Sequence, residues 1–160
     1  MWKNILVASS NWTCVYPILT AIRKGDYWSA GAVSFVSVFS ILSHLVENHK
    51  HGMVGITGPF GTGSRACAVS YYLNRMDVIG CGLVAMRLGY VYYHKYGFSM
   101  LPILNNKLIL LYCAALIVCN FISEYDKFNP ALQHSYIFFH CIWHVGIFIL
   151  MNSFMDNILY

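Results

Sequence analysis

From Ser135 to Met151 the chain reads Ser-Tyr-Ile-Phe-Phe-His-Cys-Ile-Trp-His-Val-Gly-Ile-Phe-Ile-Leu-Met, 17 residues without an Asp, Glu, Lys or Arg, and similar stretches recur along the sequence. A helix needs about 20 mostly apolar residues to cross a bilayer, and lipid offers no partner for a free backbone amide, so stretches of this kind are read as helices. Five qualify, running roughly from Asn4 to Ile22, Trp28 to Val46, Met76 to Tyr93, Lys107 to Ile122 and Ser135 to Phe154. The expected fold is an all-α integral membrane protein: one bundle of about five transmembrane helices, with six or seven as alternatives, in a single domain over residues 1–160. Composition agrees, since 58% of the residues are hydrophobic, mean hydropathy is +0.56 and only 10% are charged. Soluble domains carry about 25% charged residues.

The stretches differ in quality. Ser9, Ser10, Asn11 and Thr13 dilute the first, which also holds Pro17; neighbouring helices can satisfy the carbonyl that a proline frees. Arg87 in the third must face protein or water, or snorkel to an interface. The fourth is short, and Gly97 to Asn106 offers a short or re-entrant addition. No cleavable signal peptide is expected, because Lys3 is followed by a polar stretch and then Pro17. The sequon Asn11-Trp-Thr13 lies inside the first helix, a poor place for a glycan. Lys and Arg divide too evenly between the two sides to set the orientation, and neither endomembrane nor plasma membrane is favoured.

Net charge is +4 and the basic residues are dispersed, which excludes nucleic acid as a partner class. The six cysteines form no CxxC, so neither a thiolate metal site nor a disulfide framework is expected. The longest loop, Asn48 to Ser70, contains Gly-Pro-Phe-Gly-Thr-Gly-Ser64. It lacks the Gly-Lys-Ser/Thr ending of a phosphate loop and is read as a flexible lid or substrate entrance.

Within the last apolar stretch, His140 and His144 are one helical turn apart and share a face. Ionisable groups are costly in lipid, which makes the pair a functional-site candidate if partners exist. His44 ends the second apolar stretch, with Ser40 one turn before it on the same face, and Asp77 opens the third. In alternating spans the second helix ends, the third begins and the fifth begins on the same side. His44, Asp77, His140 and His144 therefore lie toward one side of the bundle. Three neutral imidazoles and an open position are what a catalytic zinc requires; zinc lowers the pKa of water from near 16 to about 7 and polarises a carbonyl. Asp77 would accept or orient the water's proton, and Ser40 would steady the developing oxyanion. The chemistry expected is Zn2+-dependent hydrolysis of an amide or ester in a membrane lipid, a sphingolipid or another acyl lipid.

Ser-x-x-x-His at Ser40 and His44, Asp77, and His-x-x-Trp-His at His140 to His144 together resemble the signature of a superfamily. It unites alkaline ceramidases, adiponectin-receptor-type proteins, post-GPI-attachment lipid-remodelling proteins and myomaker-like proteins. Ser10-Asn-Trp-Thr-Cys-Val-Tyr-Pro17 and Ala21-Ile-Arg-Lys-Gly-Asp-Tyr27 are similar to the first two helices of the myomaker-like and ceramidase-like branches. The resemblance implies a zinc held by His44, His140 and His144, with Asp77 and Ser40 beside it. Members commonly have seven transmembrane helices, so this chain resembles a shortened one. Loss of two helices preserves the parity above but removes walls of the lipid pocket.

Other readings stand beside these. The histidine pair is also consistent with helix packing, or with one member and His44 as axial ligands to haem. Asp77 has Arg75 and Arg87 as alternative partners, or a role as a helix cap. Zinc in a non-enzymatic receptor or remodelling protein would serve as a structural clip. His49 and His51 belong to the loop, His134 reads as an interface anchor, and His94 sits in a tyrosine-rich aromatic belt.

Overall fold

The computed structural model describes residues 2–46, 65–126 and 129–160, and every element among them is helical. Helix α1 (Trp2–Ser9), a 3-10 segment (Ser10–Cys14) and α2 (Val15–Arg23) follow one another without leaving helical backbone. Then come α3 (Tyr27–Leu45), α4 (Arg65–Tyr96), the one-turn α5 (Leu101–Leu104), α6 (Lys107–Asp126), a 3-10 turn (Pro130–Leu132), α7 (Gln133–Phe154) and a terminal π-helical turn (Met155–Leu159). The glycine-rich loop with His49 and His51 lies outside the described residues up to Ser64, whereas its expected end, Arg65 to Ser70, is the start of α4 and not loop.

Four of these helical segments are long and apolar enough to cross a membrane: Trp2–Arg23, Tyr27–Leu45, Lys107–Asp126 and Gln133–Leu159. The expected fifth span, Met76 to Tyr93, is helical but does not join that group. It forms part of the 32-residue α4, whose apolar character is broken by Arg75, Asp77, Arg87 and the Tyr-rich turn up to Lys95. Gly97 to Asn106 is a turn with four helical residues, which adds no span.

Two glycines make the reversals possible. Gly25 (φ +74°) follows α2 in the left-handed region, where its N–H bonds Ile22 O at 3.0 Å and the next amide, of Asp26, bonds Ala21 O at 2.9 Å. That pair of bonds is the Schellman closure, which a side chain at Gly25 would strain. Gly97 (φ +60°) closes α4 with one bond from its N–H to Tyr93 O at 2.7 Å. Asn106 starts α6 by accepting the Ile109 amide at 3.2 Å.

Asp26 does more than cap α3. Its carboxylate accepts from the Ser29 amide (3.0 Å), Ser29 Oγ (2.6 Å), Tyr160 Oη (2.7 Å) and Arg87 Nη2 (2.8 Å). Burial alone would raise its pKa; the bonds from Ser29, Tyr160 and Arg87 prevail and bring it to about 2. Arg87 is therefore paired across α3 and α4 with Asp26 and not with Asp77, which removes one alternative role for Asp77. At the same end, Lys95 Nζ donates to Ile158 O and Leu159 O, each at 3.0 Å, and holds the C-terminal turn against α4.

The opposite end gathers Lys3, Asn4, the close of α3 and the start of α7. Lys3 Nζ donates to Gln133 Oε1 at 2.7 Å, and Asn4 Nδ2 to Leu45 O at 3.4 Å. Asp126, at the end of α6, accepts from Ser135 Oγ of α7. Close helix contacts fix the rest: Gly80 of α4 lies against Val36 of α3, and Gly146 of α7 against Leu116 of α6. Small residues at crossings let backbones approach in this way.

Polarity runs opposite to that of a water-soluble domain. Leu108, Leu111, Phe121 and Phe138 are more than 60% exposed, whereas Asn11, Thr13, Ser37, Ser123, His44 and His140 are buried. Asn11 is 0% exposed, so its sequon is closed to a glycosylating enzyme.

Candidate metal centre

Helices α3 and α7 bring three histidines to one point. His44, one residue before the end of α3, meets His140 and His144, which follow each other by one turn on α7. Their exposures are 3%, 6% and 7%. His44 Nε2 lies 3.3 Å from His140 Nε2 and 3.0 Å from His144 Nε2, and the three candidate ligand atoms all fall within 4.8 Å of one another. The rings meet edge to face, with centroids 4.6 to 4.9 Å apart and interplanar angles of 74° to 79°. His140 lies about 10 Å along α7 from its start, at a rise of 1.5 Å per residue.

Hydrogen bonding among the imidazoles does not account for this convergence. A ring nitrogen carries either one proton or one lone pair and can make one good hydrogen bond at a time. His44 Nε2 faces two other Nε2 atoms, so its single proton or lone pair can serve only one of the two approaches with linear geometry. A shared cation satisfies all three at once. Ligands of a tetrahedral ion with bonds of about 2.0–2.1 Å are spaced about 3.3 Å apart, close to the two distances quoted above. The donor set, neutral imidazole nitrogen without thiolate, suits zinc among several divalent metals. Axial nitrogens of a haem stand across the iron with the macrocycle between them. Nitrogens 3.0 and 3.3 Å apart leave it no room.

The remaining residues singled out from the sequence are distributed as follows. Ser40 is one turn before His44 and 3% exposed, and its buried Oγ lies near the Asp77 carboxylate without meeting full hydrogen-bond geometry. Asp77 of α4 is half-buried and close enough to interact with both Ser40 and His44. His134 is exposed at the start of α7, and His94 packs on Tyr90 with centroids 4.3 Å apart; neither belongs to the cluster. The five described cysteines, Cys14, Cys81, Cys113, Cys119 and Cys141, are free thiols.

One residue of the centre is absent from the sequence reading. Ser123 of α6, 0% exposed, places Oγ 2.7 Å from Nδ1 of His140, the ring nitrogen that points away from the cluster. The available signal was position: it is the single Ser or Thr between Lys107 and Asp126, one residue past the fourth apolar stretch, on the side to which parity assigns the histidines. Tyr136, 1% exposed, lies along another side of the same ring with centroids 5.1 Å apart.

Among the described residues the chain is thus all-helical, with four helices long and apolar enough to cross a membrane and a buried three-histidine cluster capable of holding a metal ion. It belongs to the same family as an uncharacterized protein of Acanthamoeba polyphaga mimivirus, to which it is 44% identical over 158 residues, 99% of each chain. No family model matches the sequence, and no solved structure matches it.

Proposed function

We propose that this chain is a multi-pass membrane hydrolase, a shortened relative of the ceramidase-like and myomaker-like proteins, that holds zinc at His44, His140 and His144 and cleaves an amide or ester bond of a membrane lipid. Membrane embedding is supported by the reversed polarity, apolar outside and hydroxyl- and imidazole-lined inside, on helices of spanning length. The observation that carries the metal reading is the approach of two Nε2 atoms to a third at 3.0 and 3.3 Å, more than the single proton or lone pair of that nitrogen can bond linearly. Zinc bound by the three imidazoles supplies Lewis acidity toward a carbonyl oxygen and acidifies water.

The chain's own groups divide the remaining work. Asp77, beside His44, orients the attacking water and takes up its proton. Ser40 Oγ, beside the Asp77 carboxylate, donates to the carbonyl oxygen as it gains charge. Apolar residues on the outer faces keep the acyl part of the substrate in lipid while the bond to be cleaved reaches the polar interior.

The test is metal analysis of detergent-purified protein, followed by hydrolysis assays on ceramide, phospholipid and GPI-type lipids. About one zinc per chain with chelator-sensitive release of fatty acid is expected. Protein that contains no metal and regains none on addition of zinc sinks the metal reading.

A second reading keeps the zinc and drops the chemistry. His44 and His144 are 100 residues apart in sequence and joined at 3.0 Å, so a shared ion would also fasten α3 to α7 in a receptor or remodelling protein. Stoichiometric zinc without turnover on any of the three lipid classes favours it.

A further inference from the structure

Ser123 makes a contact that a packing residue would not need. It is 0% exposed on α6, which contributes no member of the three-histidine cluster, and its Oγ is 2.7 Å from His140 Nδ1. A neutral imidazole has one proton. If that proton sits on Nε2, the ring has no lone pair to offer the cluster; if it sits on Nδ1, the Nε2 lone pair is free to bind. A serine Oγ carries lone pairs as well as a proton, so it can accept from Nδ1–H, and the direction of this contact follows the tautomer of His140.

We infer that Ser123 is the positioning residue of the centre: its hydroxyl accepts the Nδ1 proton of His140 and holds that ring with its Nε2 lone pair toward His44 and His144. The inference rests on the metal reading above and extends the site from two helices to three.

The packing of α6 on α7 has the rigidity that this role requires. Gly146 lies directly against α6: a Cβ built there would stand 2.3 Å from Leu116 Cδ2 and 3.2 Å from Tyr112 Oη, so a side chain would require Leu116 to change rotamer. One turn beyond Ser123, Asp126 accepts from Ser135 of α7 and fixes the register of the two helices. Tyr136 restricts the His140 ring from another side. Groups that bond the outer nitrogen of a ligating histidine typically contribute 10- to 100-fold to metal affinity, by setting tautomer and ring orientation.

The test uses full-length protein in detergent, loaded with cobalt as a spectroscopic stand-in, and compares the wild type with Ser123→Ala, Ser123→Val and Ser123→Thr. Thr keeps the hydroxyl at the volume of Val, so the pair separates hydroxyl from packing. Helical content by circular dichroism confirms that each variant is folded. The expected result is cobalt affinity lower by about 10- to 100-fold in Ala and Val, with displaced visible bands, and near-wild-type affinity and bands in Thr. Affinity within twofold of wild type in Ala, or equal weakening in Val and Thr, overturns the inference while leaving the metal site intact. Wild-type protein that binds no cobalt removes the metal reading itself, and this inference with it.

Discussion

The α3–α4 crossing allows a test of how tightly the bundle sets the site. A Cβ at Gly80 would lie 2.9 Å from both Cα and Cβ of Val36 and 3.1 Å from its Cγ2. Carbon atoms in contact prefer about 3.5–4.0 Å, so Gly80→Ala requires the helices to part by about 0.6 Å or more. The atoms in the way are backbone and the stem of a β-branched residue, which no rotamer change removes. Overpacking of this kind costs about 1–3 kcal/mol. A Gly-to-Ala change in a helix also gains up to about 1 kcal/mol in propensity, which would mask part of that cost.

Gly82, two residues on, provides the control, because a Cβ there meets nothing within 4 Å. Gly82→Ala carries the propensity gain without the clash, so the difference between the two variants isolates the packing term. At roughly 2–4 °C per kcal/mol for a chain of this size, Gly80→Ala should melt about 2–12 °C below Gly82→Ala. Tryptophan fluorescence during heating, in one detergent, measures it. Gly80 is three residues after Asp77, and Val36 is four before Ser40. Parting the helices therefore draws Asp77 away from Ser40 and His44, whereas the three histidines, carried by α3 and α7, keep their spacing. Gly80→Ala should retain zinc and lose most hydrolysis. A melting temperature equal to or above that of Gly82→Ala would refute the packing argument, and zinc lost together with stability would refute the separation of the two sites of contact.

Further expectations follow from the same geometry. His140→Ala or His144→Ala should abolish bound zinc, as measured by elemental analysis of purified protein; stoichiometric metal in the double variant would sink the ligand assignment. Asp77→Asn should keep zinc and slow lipid hydrolysis by about 10²- to 10⁴-fold, the usual range for a positioned base; full turnover would remove Asp77 from the chemistry. The Asp26 carboxyl is held at about 2, below its ordinary 3.8, so its stabilising contribution is complete above pH 4 and lost as pH falls from 4 to 2. Unfolding followed over that interval should show Asp26→Asn less sensitive to acid than wild type, and equal sensitivity would place the acid-labile group elsewhere. Arg87→Gln should destabilise by about 1–3 kcal/mol, because Asp26 then stays buried with one charged donor fewer.

Much of the helical architecture is legible in composition, because stretches such as Lys107 to Ile122 admit few other folds. Helix ends shift by a few residues: α6 continues to Asp126 and the last helical segment reaches Leu159. Helix α4 runs antiparallel to α3, as alternation requires, but Arg75, Asp77 and Arg87 together keep it out of the group of helices apolar enough to cross a membrane. Partners of charged groups were the other difficulty. Arg87 is in sequence only one alternative partner for Asp77, ten residues away on its own helix, and it meets Asp26, 61 residues away, because α3 and α4 lie antiparallel and bring their far ends together.

For the histidines, the sequence by itself determined which faces and which side of the bundle they occupy. A residue spacing of four fixes the angle between His140 and His144, and alternation of spans fixes the end at which His44 stands. Neither rule contains a distance between helices. Only the tertiary structure decided that His44 Nε2 comes within 3.0 and 3.3 Å of the other two, and that Ser123 of α6 reaches the back of His140 at 2.7 Å. The physical reason lies in helix packing: the cluster of Val33, Val36, Val84 and Phe148 joins α3, α4 and α7, and Gly146 lies against Leu116 where α6 meets α7. Interhelical separation is set by which small residue meets which large one across an interface, and that pairing exists only after the helices have packed.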